Sequence, residues 1–467
     1  MLDFVNAAEP AVFPPLDQDF RPIVLANHAF LESVRASGRA VPLVIGLERG
    51  DGSVSTYETV VSNDPASVAA SLAYAERLVK MLLWQRGGWK VIVGGPSEIG
   101  EHIKKAYSPS GERAFDAEFM GGVYEKPFTV EVTDASSVPP TKEKAAPLGR
   151  HLDGCRIGFD LGASDRKVAA VIDGEPVFSE EVVWDPRPQS DPRYHYNEIM
   201  SALRKAASHM PRVDAIGGSS AGVYINNRVM VASLFRGVPR DVFDSQVKDI
   251  FLKMKQEWGG IPFEVVNDGE VTALAGAMSL GDNAVLGIAL GSSEAGGYVT
   301  PEGNITGWLD ELAFAPVDVN PNAPVDEWSG DRGCGVQYLS QQAVVRLAHP
   351  AGITLEDALS PAQKLEAVQK MLAAGDDRAR SIFETIGVYL GYAIAHYADF
   401  YKMRHVLILG RVTSGEGGSI LVEKAREVLK KEFPALFDRI VLHLPEDESS
   451  RRVGQAVAAA SLPAIEH

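Results

Sequence analysis

The stretch Val265-Val266-Asn267-Asp268-Gly269-Glu270 constrains this chain more than any other. Two β-branched residues run into an Asn-Asp-Gly corner, and the helix-forming run Val271 to Met278 follows at once. A strand that ends in a carboxylate just before a helix places that carboxylate at the rim of an α/β sheet. Ligands bind at such rims, outside the carboxyl ends of the strands. Asn-Asp-Gly is also ordinary turn chemistry, so the corner takes its meaning from three glycine-bearing loops elsewhere.

With 467 residues, of which 45% are hydrophobic and 23% charged, the chain is long enough for more than one globular domain. Residues 41–47 and 54–61 read as a strand hairpin about Arg49-Gly50-Asp51-Gly52-Ser53. A helix over 65–83, a buried strand Lys90–Val93 and a further helix after Gly94-Gly95-Pro96-Ser97 make residues 1–150 an α/β unit. The polar, proline-bearing segment 133–150 reads as a linker. A second hairpin opens at Arg156–Lys167. A helix over 196–210, a strand Val213–Ser220 and one long helix near 241–258 lead to the Asp268 strand. A third hairpin, 284–300, turns at Gly291–Gly297. Helices near 335–348, 355–374 and 377–403 follow, then the apolar strand His405–Leu409, a helix over 419–432, a strand at 440–444 and a helix at 450–460.

Three loops carry the chemistry. Asp160-x-Gly162-x-Ser164-x-x-Lys167 puts small residues in a turn, where backbone N–H groups can approach a phosphate and a hydroxyl and an amine add donors. Gly291 to Gly297, with Ser292 and Ser293, is a second such turn. Gly410-Arg411 ends an apolar strand and leads to a helix, whose N–H groups can receive a nucleotide's phosphates. Each is weak alone; their order around Asp268 is the stronger signal.

These residues resemble the ROK family (repressors and sugar kinases) of the actin-like ATPase superfamily, over residues 156–467. Ile157–Ser164 resembles its first phosphate motif, Val266-Asn267-Asp268 the segment of its catalytic aspartate, Leu290–Gly297 its second phosphate motif, and Leu407–Val412 its adenosine motif. The resemblance implies two actin-like (ribonuclease H-like) lobes around an ATP and sugar cleft, plus the additional N-terminal α/β domain. The small lobe would be 151–281, with the helix at 450–467 returning to it, and the large lobe 282–449. It implies ATP-dependent phosphorylation of a hexose or related sugar, with Asp268 as general base. Nucleotide and phosphates would meet Asp160, Gly162, Ser164, Lys167, Gly291, Ser292, Ser293, Gly410 and Arg411, with Mg²⁺ near Asp160. The sugar would meet Asn267, Glu311, Ser219 and Ser220. A homodimer is left open.

Several positions depart from the family's pattern. Glu311 matches a sugar-binding glutamate, but Phe314 stands where a histidine is usual. Cys334 alone remains of a three-cysteine zinc motif, and one thiol cannot build a four-ligand site, so no zinc is expected. Glu294 puts a carboxylate in the second phosphate turn, Arg411 replaces a glycine, and Ala232–Arg236 lacks a usual asparagine. The N-terminal unit lacks the family repressors' helix-turn-helix, and the hairpin and Val91–Gly95 corner suggest a degenerate actin-like lobe instead.

The formal charge of −17 opposes nucleic-acid binding through a broad basic face. No apolar run approaches the roughly 20 residues that span a bilayer, and the first ten residues lack a signal-peptide pattern. A cytoplasmic protein is expected, its two cysteines, Cys155 and Cys334, suiting a reducing compartment. The alternative to a kinase is a non-catalytic sugar- or nucleotide-binding regulator on the same scaffold. A third reading is a scaffold whose N-terminal domain covers the cleft.

Overall fold

A computed structural model of the chain describes residues 4, 8–50, 52–143, 148–162, 165–444 and 448–465, with side chains described outside 448–453. It is an α/β protein of two actin-like lobes with an additional N-terminal α/β unit.

The N-terminal unit begins with α1 (Ile23–Ala36) and the hairpin β1 (Ala40–Glu48) and β2 (Val54–Ser62). Helix α2 (Val68–Arg86), β3 (Lys90–Gly94), α3 (Ser97–Ala106), α4 (Ala114–Tyr124) and β4 (Thr129–Thr133) complete it. The sheet order is β2-β1-β3-β4, with β3 antiparallel to β1. In both lobes the strand after the hairpin instead runs parallel to the first, so this sheet does not repeat the lobe topology. The expected linker is in part structured. Residues 129–133 form β4 beside β3, and Val54 and Lys142 exchange backbone hydrogen bonds of 2.8 and 2.9 Å.

The small lobe comprises β5 (Cys155–Leu161), β6 (Asp165–Ile172), β7 (Glu175–Val183), α5 (Pro192–Ala207) and β8 (Ala215–Ser220). It continues through the hairpin β9 (Val223–Ile225) and β10 (Arg228–Val231), then α6 (Ile250–Glu257), β11 (Phe263–Asn267) and α7 (Asp268–Leu280). Its order β7-β6-β5-β8-β11, an antiparallel meander joined to parallel strands, is that of an actin-like lobe. The long helix expected at 241–258 is broken. The Lys248 carbonyl turns out to accept Val229 N–H at 2.9 Å, and α6 starts only beyond it.

The large lobe holds β12 (Val285–Leu290), β13 (Glu294–Val299), α8 (Gln341–Ala348), α9 (Pro361–Ala373), α10 (Asp377–Tyr397), β14 (His405–Leu409), α11 (Glu416–Glu432) and β15 (Val441–His443), in the sheet order β13-β12-β14-β15. Helix α12 (Glu448–Ala460) then lies on the small-lobe sheet. The approach needs glycine: a Cβ on Gly158 or Gly217 would sit 1.8 or 1.7 Å from the carbonyl oxygens of Ala456 and Ala459. No helix among the described residues is long and apolar enough to cross a membrane.

The small lobe has its own core, around Phe159, Leu203, Phe251 and Phe263. The N-terminal unit does not, for one continuous cluster runs from its sheet into the large lobe. Phe20 packs 4.7 Å from Tyr389, and Tyr338 and Tyr392 complete its socket. A buried charge network ties the same two parts. Asp331 of the large lobe receives Arg113 at 2.7 Å, Arg77 at 3.0 Å and Lys80 at 3.2 Å. Asp116 takes Lys80 at 3.1 Å, and Glu76 pairs with Arg77 and Arg113. Three cations thus balance three carboxylates. Burial works against the Asp331 charge, yet Arg77 and Lys80 hold its carboxyl below the usual range.

Removing one member of such a network strands its partners. Lys80→Met is expected to destabilise the fold by about 3–5 kcal/mol, read as a lower urea midpoint. An unchanged midpoint would show that the network does not secure the N-terminal unit.

Candidate functional site

Strand β11 ends at Asn267, and Asp268 is the first residue of α7. The Asn267 side chain accepts Gly269 N–H at 2.7 Å, and its amide donates to the Gly222 carbonyl at 2.7 Å. Three residues on, Glu270 is buried near the backbone N–H groups of Asn267 and Gly307, which favour its charged form against the cost of burial. Gly269 completes the lock, since a Cβ there would lie 2.0 Å from the Gly296 carbonyl oxygen of β13. Asp268 is therefore fixed where the two lobes meet. Burial, and then the nearby Asp160 charge, push its carboxyl up to about 6, against the pull of the Gly269 N–H and Lys167.

Asp160, on β5, accepts Lys167 Nζ at 3.0 Å and Ser219 Oγ at 2.7 Å. Asp165 shares the same ammonium at 2.9 Å. Ser219 and Ser220 are fully buried, the latter bonded to Tyr224 Oη at 2.6 Å. Gly162 N–H closes the first turn on Asp165 O at 2.9 Å, and Ser164 lies outside the described residues.

The opposite wall comes from the large lobe. Glu311 lies within electrostatic reach of Asp268, and burial, then Asp268 and Asp310, push its carboxyl up to about 7. Asp310 adopts φ 49°, its backbone N–H held by the Gln85 carbonyl at 2.9 Å; Glu311 N–H is held by Trp84 O at 3.0 Å. The end of α2 thus sets the loop that carries both acids. Phe314 stacks on the Trp84 ring at 4.1 Å. Burial raises Asp310 to about 7 and Glu270 to about 8, and Asp310 Oδ2 and Glu270 Oε1 have no hydrogen-bond partner among the described residues.

The turn between β12 and β13 presents Ser292 and Ser293 to solvent. Glu294 does not join them. It is 1% exposed, takes the Tyr397 hydroxyl at 2.8 Å and packs against Gly335. Parallel pairing of β12 with β14 sets Gly410 beside this turn. At φ 97°, a Cβ on Gly410 would meet Leu290 O at 2.4 Å, so only glycine fits. Arg411 is exposed. The fold thus gathers Gly162, Asp160, Lys167, Asn267 and Asp268 at one sheet edge and Gly291, Ser292, Ser293 and Gly410 at the other. Glu311 stands opposite Asp268.

Sequence reasoning missed Glu270, Asp310 and the tyrosines that serve buried acids. The Tyr389, Tyr392, Tyr397 and Tyr401 series, which reads as plain packing, donates in turn to Asp17, Glu432, Glu294 and Asp310.

Among the described residues, no group of three or more His, Cys, Asp or Glu is placed to hold a metal ion. Cys334 Sγ lies 3.8 Å from Asp331, within reach of Arg77 and Lys80, and burial pushes its thiol up to about 12. Those cationic surroundings do not fit a zinc site.

No family model and no curated protein sequence matches the chain. Solved structures do match in fold. The ROK hexokinase from Thermus thermophilus is 19% identical, with a TM-score of 0.51, over 65% of this chain and 97% of its own. A ROK family transcriptional regulator, described as a homolog of the E. coli MLC protein, is 18% identical, with a TM-score of 0.53, over 67% of this chain and 79% of its own. At such identities the likeness is one of fold.

Glu294 offers a test of the burial. Its folded carboxyl, at about 8, stands above the ordinary value of 4.5, so its contribution is full below pH 4.5 and lost as pH rises towards 8. Glu294→Gln keeps an acceptor for Tyr397 and removes the titration. The variant is expected to gain roughly 1–4 kcal/mol over the native chain at pH 8 and little at pH 4.5, measured by denaturant unfolding. Equal stability at both pH values would contradict the burial of this acid.

Proposed function

We propose that this chain, whose fold is that of ROK kinases and ROK regulators, is an ATP-dependent kinase acting on a hydroxyl of a hexose or related sugar. The observation that carries this reading is Asp268. It is a fixed carboxylate at the carboxyl end of β11, with a pKa near working pH, opposite Glu311 and between two turns of small residues. A general base works best with its pKa close to the pH at which it acts.

The two turns fit a nucleotide's phosphates. Gly410 packs its backbone tightly against Leu290 at the end of β12, and Ser292 and Ser293 offer exposed hydroxyls. The phosphates would lie against Gly162, Gly291 and Gly410, with the Ser292 and Ser293 hydroxyls as donors and exposed Arg411 beside them, since the Gly162 and Gly291 N–H groups already close their own turns on Asp165 O and Ser293 O. Asp160 would hold Mg²⁺ through water, and its bonds from Ser219 and Lys167 fix its direction. Mg²⁺ supplies neutralisation of the charge that develops on the transferred group. Asp268 takes the proton from the attacking hydroxyl. Glu311, about half protonated at neutral pH, donates to or accepts from a second hydroxyl. Asn267 acts by capping α7 and so holding Asp268. Sugar and ATP are the ligands, the compartment is the cytoplasm, and Phe314 in place of a histidine makes one side of the sugar pocket apolar.

A second reading, a sugar- or nucleotide-binding regulator without turnover, is favoured by the grip of Trp84 and Gln85 on the Glu311 loop. The two separate in one experiment. With Mg²⁺, ATP and a sugar panel, turnover is expected to rise as pH passes about 6. Asp268→Asn should lower kcat by about 10²–10⁴ while nucleotide still raises the melting temperature. Stabilisation without turnover supports the regulator, and neither response would overturn both readings.

A further inference from the structure

Helix α12 reaches the cleft from the far end of the chain. It lies deep on the small-lobe sheet, where a Cβ on Gly158 or Gly217 would strike the carbonyl of Ala456 or Ala459. Gln455 directly precedes Ala456, and Asp160 follows closely after Gly158 on β5. At this depth the Gln455 side chain lies between β5 and α7. Its Nε2 is 3.5 Å from Asp160 Oδ1 and 3.2 Å from Thr272 Oγ1. A side-chain amide nitrogen carries a pair of hydrogens, one for each acceptor. Thr272 Oγ1 donates in turn to the carbonyl of Asp268 at 2.7 Å. A run of hydrogen bonds thus leads from Asp160 through Gln455 and Thr272 to the backbone of Asp268.

The other donors to Asp160 come from its own sheet. Ser219 Oγ on β8 shares Oδ1 at 2.7 Å, and Lys167 Nζ on β6 takes Oδ2 at 3.0 Å. Gln455 instead ties Asp160 to α7, the helix whose Gly269 packs on Gly296 of the large lobe. Asp160 is 4% exposed, so an oxygen that loses a donor there cannot turn to bulk water. The surroundings of Gln455 point the same way. Ala456, Ala458, Ala459 and Ala460 follow it, all buried. A polar amide beside such an apolar run costs desolvation unless its hydrogens are used, and packing alone gives no reason for one.

We propose that Gln455 is a positioning residue of the cleft, holding the Asp160 carboxylate against the first turn of α7 so that Asp160 and Asp268 act in one fixed frame. The inference rests on the reading of this cleft as a phosphoryl-transfer site. There Asp160 serves the phosphate side and Asp268 the attacking hydroxyl, and small errors in their relative placement slow the reaction. Gln455 itself touches neither substrate; it acts through the two carboxylates. The close approach at Gly158 and Gly217 then has a purpose in the cleft, since it brings Gln455 down to Asp160.

Steady-state kinetics of the full chain, with Mg²⁺, ATP and the most active sugar of the panel, test this. Gln455→Met has similar length and no donor. It is expected to lower kcat about tenfold, the worth of a hydrogen bond to a charged group. The KM for the sugar and the circular dichroism melt should stay as in the native chain. Thr272→Val removes the other end of the bridge and should lose no more. The double variant should lose no more than Gln455→Met alone, because residues of one network do not add independently. An unchanged kcat in Gln455→Met overturns the proposal. So does a loss that comes with a lowered melt, which assigns the amide to the fold, and so do losses that multiply in the double variant. A native chain that turns over no sugar overturns the proposed function itself, and the positioning role with it.

Discussion

A network of six charges centred on Asp331, three cations and three carboxylates, ties the N-terminal unit to the large lobe. Residues 301–340 contain little regular structure, yet they carry Asp310, Glu311 and the Gly335 that covers Glu294. Such a segment needs anchors. Only Cys334 remains here of the three-cysteine motif that the resemblance to ROK proteins would lead one to look for, and Arg77, Lys80 and Arg113 of the N-terminal unit converge on Asp331 beside it. A compact positive cluster on one carboxylate can serve the mechanical role of a metal, provided every charge is balanced. Glu76 and Asp116 supply that balance. The N-terminal unit is for this reason part of the large lobe's structure, as the continuous core also indicates.

The same unit reaches the cleft. The last turn of α2 offers the carbonyls of Trp84 and Gln85 to the N–H groups of Glu311 and Asp310, while Phe314 stacks on Trp84. Two populations of acid result. Asp160 keeps a lysine and a serine hydroxyl close at hand. Glu270 and Glu294 have no cation close by among the described residues, Arg49 only partly offsets burial at Asp310, and burial raises all three. Asp268 stands between these populations, raised by burial to about 6. Titratable groups pushed apart in this way are the raw material of acid–base chemistry.

Local signals carried the strands, the glycine turns and the Asp268 corner. β-branched runs ending in small residues are legible because both the strand and its turn are written in consecutive positions. Strand β4 was less so, since Thr129–Thr133 is five residues long and partly exposed, and its partner β3 lies a helix pair away. The Lys80–Asp331 contact spans 251 positions and leaves no periodic trace in the sequence. Glu294 read as an obstacle to phosphate because its position in the turn was visible and its direction was not; Tyr397 and Gly335 set that direction from far along the chain. The glycines Gly158 and Gly217 were legible as small residues, but what they make room for was not.

What they make room for has a consequence for how the molecule is made. Strands β5 to β11 of the small lobe are complete by Asn267, but the surface bared by Gly158 and Gly217 is covered by α12, which begins at Glu448. The whole large lobe is synthesised in between. On the ribosome the small-lobe sheet therefore waits with one face uncovered until the large lobe has emerged. Closure across so many residues is slow, since loop entropy must be met before the contact repays it. The small lobe, though its strands are made first, cannot complete its packing before α12 has been made.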